Sequence, residues 1–211
     1  MGGSVAFTTD YLLRGVSQSQ GAGALQAQLH YQTPGGWLAG VWASSTSLNP
    51  GDGRTAEINA FASHSWRVGD DWSTKLAVAH YAYPWNSPGG FYDYDELSAG
   101  LAFRDLAFLT IAVSPNTPLE AFANHDHTAV SLDLALRRPL IADWSAVGGI
   151  GHYDLSGTSG GGYWYWNAGL GYDSWPWHLD LSWFGTSSVE AGTVDPDLPL
   201  GFWAATLMWR F

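Results

Sequence analysis

Along almost the whole chain, apolar residues recur at every second position, and hardly any helical period competes with them. The stretch Leu25 to Gln32 is the cleanest: Leu25, Ala27, Leu29 and Tyr31 share one face, while Gln26, Gln28, His30 and Gln32 share the other. Only an extended strand sorts residues this way, because successive side chains point to opposite sides. The same period puts Val5, Phe7, Tyr11 and Leu13 on one face of a first strand, and Trp37, Ala39, Val41 and Ala43 on one face of a third. Further sets follow at Ala56 to Ala62, Trp72 to Val78, Leu97 to Phe103, Ala107 to Val113 and Val130 to Leu136. A ninth strand, around Trp144 to Tyr153, alternates poorly because of its glycines. The sets Trp164 to Tyr172, Trp177 to Trp183 and Trp203 to Phe211 complete a predicted count of twelve strands.

What the apolar faces meet is decided by composition. Charged residues make up 13% of the chain, about half the usual share of a soluble domain, while thirteen tryptophans are present. Lipid is the medium that fits. A membrane-spanning helix needs about 18 consecutive apolar residues, and the nearest approach, Leu106 to Val113, falls well short. A chain apolar in total but nowhere continuously apolar suits a transmembrane antiparallel up-and-down β-barrel, whose strands turn alternate residues to lipid and lumen. The whole chain, 1–211, is expected to form this single domain.

Connection lengths separate the barrel from a soluble β-sandwich. Short links fall at Pro34-Gly35, Gly69-Asp70, Arg104-Asp105, Pro139-Leu140 and Ser174 to Pro176. They alternate with long links at Gly15 to Gly23, Thr46 to Gly53, Pro84 to Phe91, Pro115 to Asp126, Asp154 to Gly162 and Ser187 to Leu200. Outer-membrane barrels have short periplasmic turns and longer extracellular loops, whereas Greek-key connections break such regularity. Trp37, Trp66, Trp72, Phe103, Trp144, Trp177 and Phe211 lie within a few residues of the short links, as an interfacial aromatic girdle requires. A final strand ending in Phe211 also has the form that bacterial barrel-assembly machinery reads, which makes that machinery an expected partner.

A net charge of -11, with eight scattered basic residues, argues against nucleic acid as a partner. The absence of cysteine excludes disulfides and thiolate metal sites. Met1-Gly2-Gly3 runs directly into strand-like sequence, which reads as a mature form without its export signal. Outer-membrane lipids and lipopolysaccharide are the expected surroundings.

The segment Ser4 to Gln20, SVAFTTDYLLRGVSQSQ, resembles the opening of the TorF-related porin family, earlier catalogued as bacterial proteins of unknown function. Gly36 to Ser44, Glu57 to Asn59 and Tyr81 to Pro84 resemble later segments of that family in order, so the likeness covers roughly the first half. Asn59 and Phe61 depart from the family's usual acidic residue and tyrosine. The resemblance implies an outer-membrane barrel with a porin role, and supplies no catalytic or ligand-binding residues and no cofactor.

Candidate chemistry is sparse. His125-Asp126-His127 offers metal-ligating groups without a defined third or fourth ligand. His80 and His152 face outward, where a barrel hydrolase would need a base beside a nucleophile. Gly160 to Gly162 has no following Lys-Ser/Thr pair to bind phosphate and reads as a flexible loop. The ionisable residues expected to line the lumen are Asp10, Glu57, Glu96, Asp133 and Asp180, nearly balanced by Arg14, Lys75, Arg104, Arg137 and Arg210. At the long-link mouth Asp52, Asp93, Asp95, Glu120, Asp126, Asp154, Glu190, Asp195 and Asp197 outnumber Arg14 and Arg54. The expected function is passive diffusion of small hydrophilic solutes or ions. A closed structural barrel and a lipid-active enzyme are the alternatives, and no metal or cofactor is expected.

Overall fold

The computed structural model describes residues 1–48, 53, 55–85, 92–117, 127–155, 161–187 and 201–211. Its strands, in chain order, are β1 (Gly2–Thr8), β2 (Leu12–Leu13), β3 (Val16–Ser17), β4 (Ala24–Gln32), β5 (Trp37–Thr46), β6 (Thr55–Val68) and β7 (Trp72–Ala82). They continue as β8 (Tyr94–Phe103), β9 (Ala107–Thr117), β10 (His127–Pro139), β11 (Trp144–Asp154), β12 (Gly162–Ser174), β13 (Trp177–Thr186) and β14 (Gly201–Arg210). β1 and β4 to β14 form a closed antiparallel barrel of twelve strands, while β2 and β3 pair only with each other.

Closure joins the two ends of the chain. β14 pairs with β1 from Ser4↔Arg210 to Thr8↔Thr206. Gly3 N–H donates to the Phe211 carbonyl at 2.9 Å, and Phe211 N–H returns a bond to Gly3 at 3.0 Å. Every barrel strand is thereby paired on both sides, which a strand surrounded by hydrocarbon requires.

The wall is inverted relative to a water-soluble domain. The largest fully buried side chains among the described residues are Glu57, Thr46, Ser114, Ser131 and Ser182, whereas Leu25, Leu29, Val41, Leu97, Leu132 and Trp203 are exposed. This is the predicted alternation, with polar residues turned to the lumen. At the short-turn end, Trp37 packs on His64 and His64 on Trp66; Trp72 packs on Phe103, Trp144 on Tyr172, and Trp209 on Phe211. The predicted girdle therefore exists as a set of ring contacts.

Two departures have local causes. Tyr11 and Leu13, expected outward on the first strand, lie beyond the end of β1 and belong to the β2–β3 region inside the barrel. β9 extends through Pro115 to Thr117, into the stretch expected to be a link. Proline cannot donate to a ladder, and the register shifts there, between His127↔Thr117 and Ala129↔Ser114.

Leu29 sits near the middle of β4 with its side chain outward, and Gln28 faces inward. Leu29→Arg is expected to cost about 2–4 kcal/mol in folding titrations into vesicles, with Gln28→Arg mild. The reverse ranking would mean that the faces are exchanged.

Candidate functional site

The functional candidate is the segment between β1 and β4, because it turns into the lumen rather than outward. Thr8 Oγ1 donates to the Asp10 carbonyl at 2.7 Å, and Asp10 Oδ1 accepts from Ser17 Oγ at 2.6 Å and Ser19 Oγ at 2.7 Å. These short-range bonds fold the chain back on itself. Between β2 and β3, Arg14 and Gly15 have φ of 50° and 77°, the positive pair that a type I′ hairpin turn demands.

The hairpin reaches opposite parts of the wall. Tyr11 packs against Trp42 of β5, with ring centroids 5.4 Å apart. Its hydroxyl donates to the Glu57 carboxylate of β6 at 3.1 Å. The Arg14 guanidinium pairs with Glu96 of β8, on the same side of the barrel as Glu57, and across the lumen lies 4.5 Å from the centre of the Tyr153 ring of β11. Gly15 approaches β12 and β13 so closely that an added Cβ would stand 2.7 Å from both Thr186 Cγ2 and Tyr165 Cβ. A hairpin held by so many strands is a crossbar, not a surface loop.

Glu57 anchors one end of this crossbar. It is fully buried, and besides Tyr11 it accepts from Tyr83 Oη at 2.9 Å and Asn59 Nδ2 at 2.7 Å. Burial, reinforced by the nearby Glu57 charge, pushes the Tyr11 and Tyr83 hydroxyls far above the usual phenol range, so both remain donors. Asp133 accepts from the Tyr165 hydroxyl, and Asp180 Oδ1 from Ser182 Oγ at 2.7 Å.

The predicted lumen charges separate along the barrel instead of balancing locally. Asp10, Glu57, Glu96, Asp133 and Asp180 gather on or around the hairpin, whose Arg14 pairs with Glu96. Lys75, Arg137 and Arg210 lie toward the short-turn ends of β7, β10 and β14. Arg137 Nε donates to Ser145 Oγ at 3.2 Å, and Arg210 pairs with Asp173 at 2.8 Å. Arg104 departs from its expected place: it occupies the turn after β8, exposed, paired with Asp71 at 2.9 Å and set over the Phe103 ring. That turn residue has φ 50° and belongs to the rim.

On the outer face, His80 Nδ1 lies 2.9 Å from Asp95 Oδ1, and Asn116 Nδ2 donates to Asp95 Oδ2 at 3.0 Å. The shift in register beside Pro115 brings Asn116 there. Asp95 is therefore a wall residue rather than part of the mouth. His152 packs on Trp164 instead. Among the described residues, neither histidine is hydrogen-bonded to a serine or threonine hydroxyl, the nucleophile that acyl transfer needs. His125, Asp126 and Gly160 lie outside the described residues, as do Asp52, Arg54, Glu120, Glu190, Asp195 and Asp197. His127 opens β10 opposite Thr117, and no group of three metal-ligating residues occurs among the described residues.

Residues 1–195 match the model of a family described as "Bacterial protein of unknown function (Gcw_chp)". The chain belongs to this family. No curated protein matches the sequence. Among solved structures, this Gcw_chp chain is similar to the NanC porin, with a TM-score of 0.65 and 9% identity over 99% of this chain and 98% of that one. It is similar to the KdgM porin at a TM-score of 0.61 and 8% identity, covering 100% and 99% of the two chains. LpxR from Salmonella typhimurium shares the barrel more distantly, at a TM-score of 0.51 and 6% identity over 100% and 99%. At such identities the likeness establishes the fold.

The Arg14–Glu96 pair is largely buried, so removing one partner strands the other charge. A double-mutant cycle of Arg14→Ala and Glu96→Ala is expected to give a coupling of about 1–3 kcal/mol in unfolding measurements. The exposed Arg104–Asp71 pair should show no resolvable coupling in the same assay.

Proposed function

We propose that this Gcw_chp protein is an outer-membrane porin-like channel for passive diffusion of small hydrophilic solutes or ions, narrowed by its inward hairpin. One observation carries the reading: a polar lumen, enclosed by an apolar wall, has a hairpin laid across it with cavities beside it. A purely structural barrel needs no such cavities. Twelve strands lie between filled eight-stranded barrels and the water-filled channels of sixteen-stranded porins, so a crossbar is enough to set the bore. The porin neighbours support the same reading through their fold.

The resemblance of Ser4 to Gln20 to the TorF-related porins supports a transport role, and this is the segment that forms the crossbar. In this reading the short turns face the periplasm, lipopolysaccharide surrounds the long-link end, and the barrel-assembly machinery engages β14 through Phe211. The proposed lumen-lining residues are Asp10, Glu57, Glu96, Asp133 and Asp180, with Arg14, Lys75, Arg137 and Arg210. Enzymatic turnover is not part of the proposal, because the His80–Asp95 contact has no hydroxyl partner among the described residues.

Purified protein in planar bilayers should give discrete ion steps, and replacing residues 11–18 by a flexible Gly-Ser linker should enlarge them. Persistent silence of both proteins would favour the closed structural barrel. The carboxylates around the hairpin should make the wild-type channel mildly cation-selective under a KCl gradient. This preference should fade as the Debye length falls to about 3 Å near 1 M salt. Anion preference at low salt would instead assign control to Lys75, Arg137 and Arg210.

A further inference from the structure

Two cavities flank the hairpin along one stretch of wall. The first, about 380 Å³, lies between the turn at Gly15 and the residues Thr186 and Phe202. The second, about 270 Å³, lies between Tyr11 and Leu12 on one side and Asp180, Phe184 and Thr206 on the other. Thr186 and Phe202 stand nearer the long-link ends of β13 and β14 than Asp180 and Thr206 do, so the cavities follow one another down the barrel. Asp10 lines both.

The chemistry of this route is one-sided. Asp10 is only 8% exposed, and its two side-chain bonds, from Ser17 and Ser19, both go to Oδ1. Asp180 uses Oδ1 for Ser182. Among the described residues, Oδ2 of each makes no hydrogen bond, and neither carboxylate has a cationic partner. Carboxylates withdrawn from bulk water favour a counter-charge. Rings stand beside them: Phe184 and Phe202 stack with centroids 6.3 Å apart and planes at 17°, and Trp42 lines the second cavity. Aromatic faces attract cations and cover apolar ring surfaces. Thr206 Oγ1 donates to Thr8 Oγ1 at 2.9 Å, and Thr8 gives its own proton to the Asp10 carbonyl, so Thr8 Oγ1 offers a guest its remaining acceptor lone pair.

Building on the channel reading, we infer that Asp10, Asp180, Phe184, Phe202 and Trp42 form a solute site selective for small ring-shaped cations, of which amino sugars are the matching class. The ammonium meets the carboxylates, the C–H face of the ring covers an aromatic side chain, and a ring hydroxyl donates to Thr8 Oγ1. A uronate of the same size brings a like charge to Asp10 and Asp180 and is rejected.

Saturation-transfer NMR on the intact protein in detergent micelles tests this with glucosamine, glucose and galacturonate as probes. Glucosamine should take up the strongest transfer, glucose less, and galacturonate none. Asp180→Asn is the informative variant, because Asp180 bonds only within β13 whereas Asp10 holds the hairpin. It should weaken glucosamine binding about tenfold. Phe202→Leu, which keeps an apolar side chain, gives a second reading and should weaken glucosamine and glucose together. Equal transfer to galacturonate, or binding unchanged in both variants, would overturn the site. Binding in micelles does not require conduction, so the two proposals fail separately. A conducting channel that ignores glucosamine sinks the site, while glucosamine binding to a protein silent in bilayers supports the site and sinks the channel.

Discussion

Pairing of β1 with β14 is the interaction on which the rest of the structure depends, because it removes the only two edges the sheet would otherwise have. Ser4 to Thr8 must meet Arg210 to Thr206 for the ladder to close, and the reciprocal bonds of Gly3 and Phe211 finish it at the short-turn end. Once closed, the wall can expose leucine, valine and tryptophan outward and keep glutamate, serine and threonine inside, the arrangement a bilayer imposes. The inside-out burial is thus a consequence of closure.

Closure also creates a problem of space. A twelve-stranded cylinder is wider than the eight-stranded one that side chains fill, and the chain supplies the Thr9 to Gly23 segment to divide it. Glu57 and Glu96 receive that segment on one side, through Tyr11 and Arg14, and the Tyr153 ring meets the Arg14 guanidinium on the other. The carboxylates that fix the hairpin also give the divided lumen its sign. Basic groups are displaced toward the short-turn end, where Arg210 is already engaged by Asp173.

The wall was legible in the sequence because each strand repeats one physical demand, lipid on one side and water on the other, at period two. Leu25 to Gln32 or Trp203 to Phe211 could hardly be read otherwise. The hairpin was not legible because the same alternation is available to a strand packed inside the barrel: Tyr11 and Leu13 continue the spacing of Val5 and Phe7. The breaking signals are local, namely Asp10 between Thr8 and the serines at 17 and 19, and the Arg14-Gly15 turn at positive φ. Arg104 was misplaced for a related reason. It follows Phe103 by one residue, and parity alone assigns it inward, but β8 has already ended and its guanidinium folds back to Asp71.

Thr9 to Gly23 spans the lumen and touches opposing walls at once. Nuclear Overhauser contacts in micelles or nanodiscs read this directly. Contacts are expected from the Tyr11 ring to Trp42, whose centroids are 5.4 Å apart, together with contacts from the Arg14 side chain to the Tyr153 ring 4.5 Å away. Absence of both, with the hairpin giving random-coil shifts, would contradict it and leave an undivided barrel.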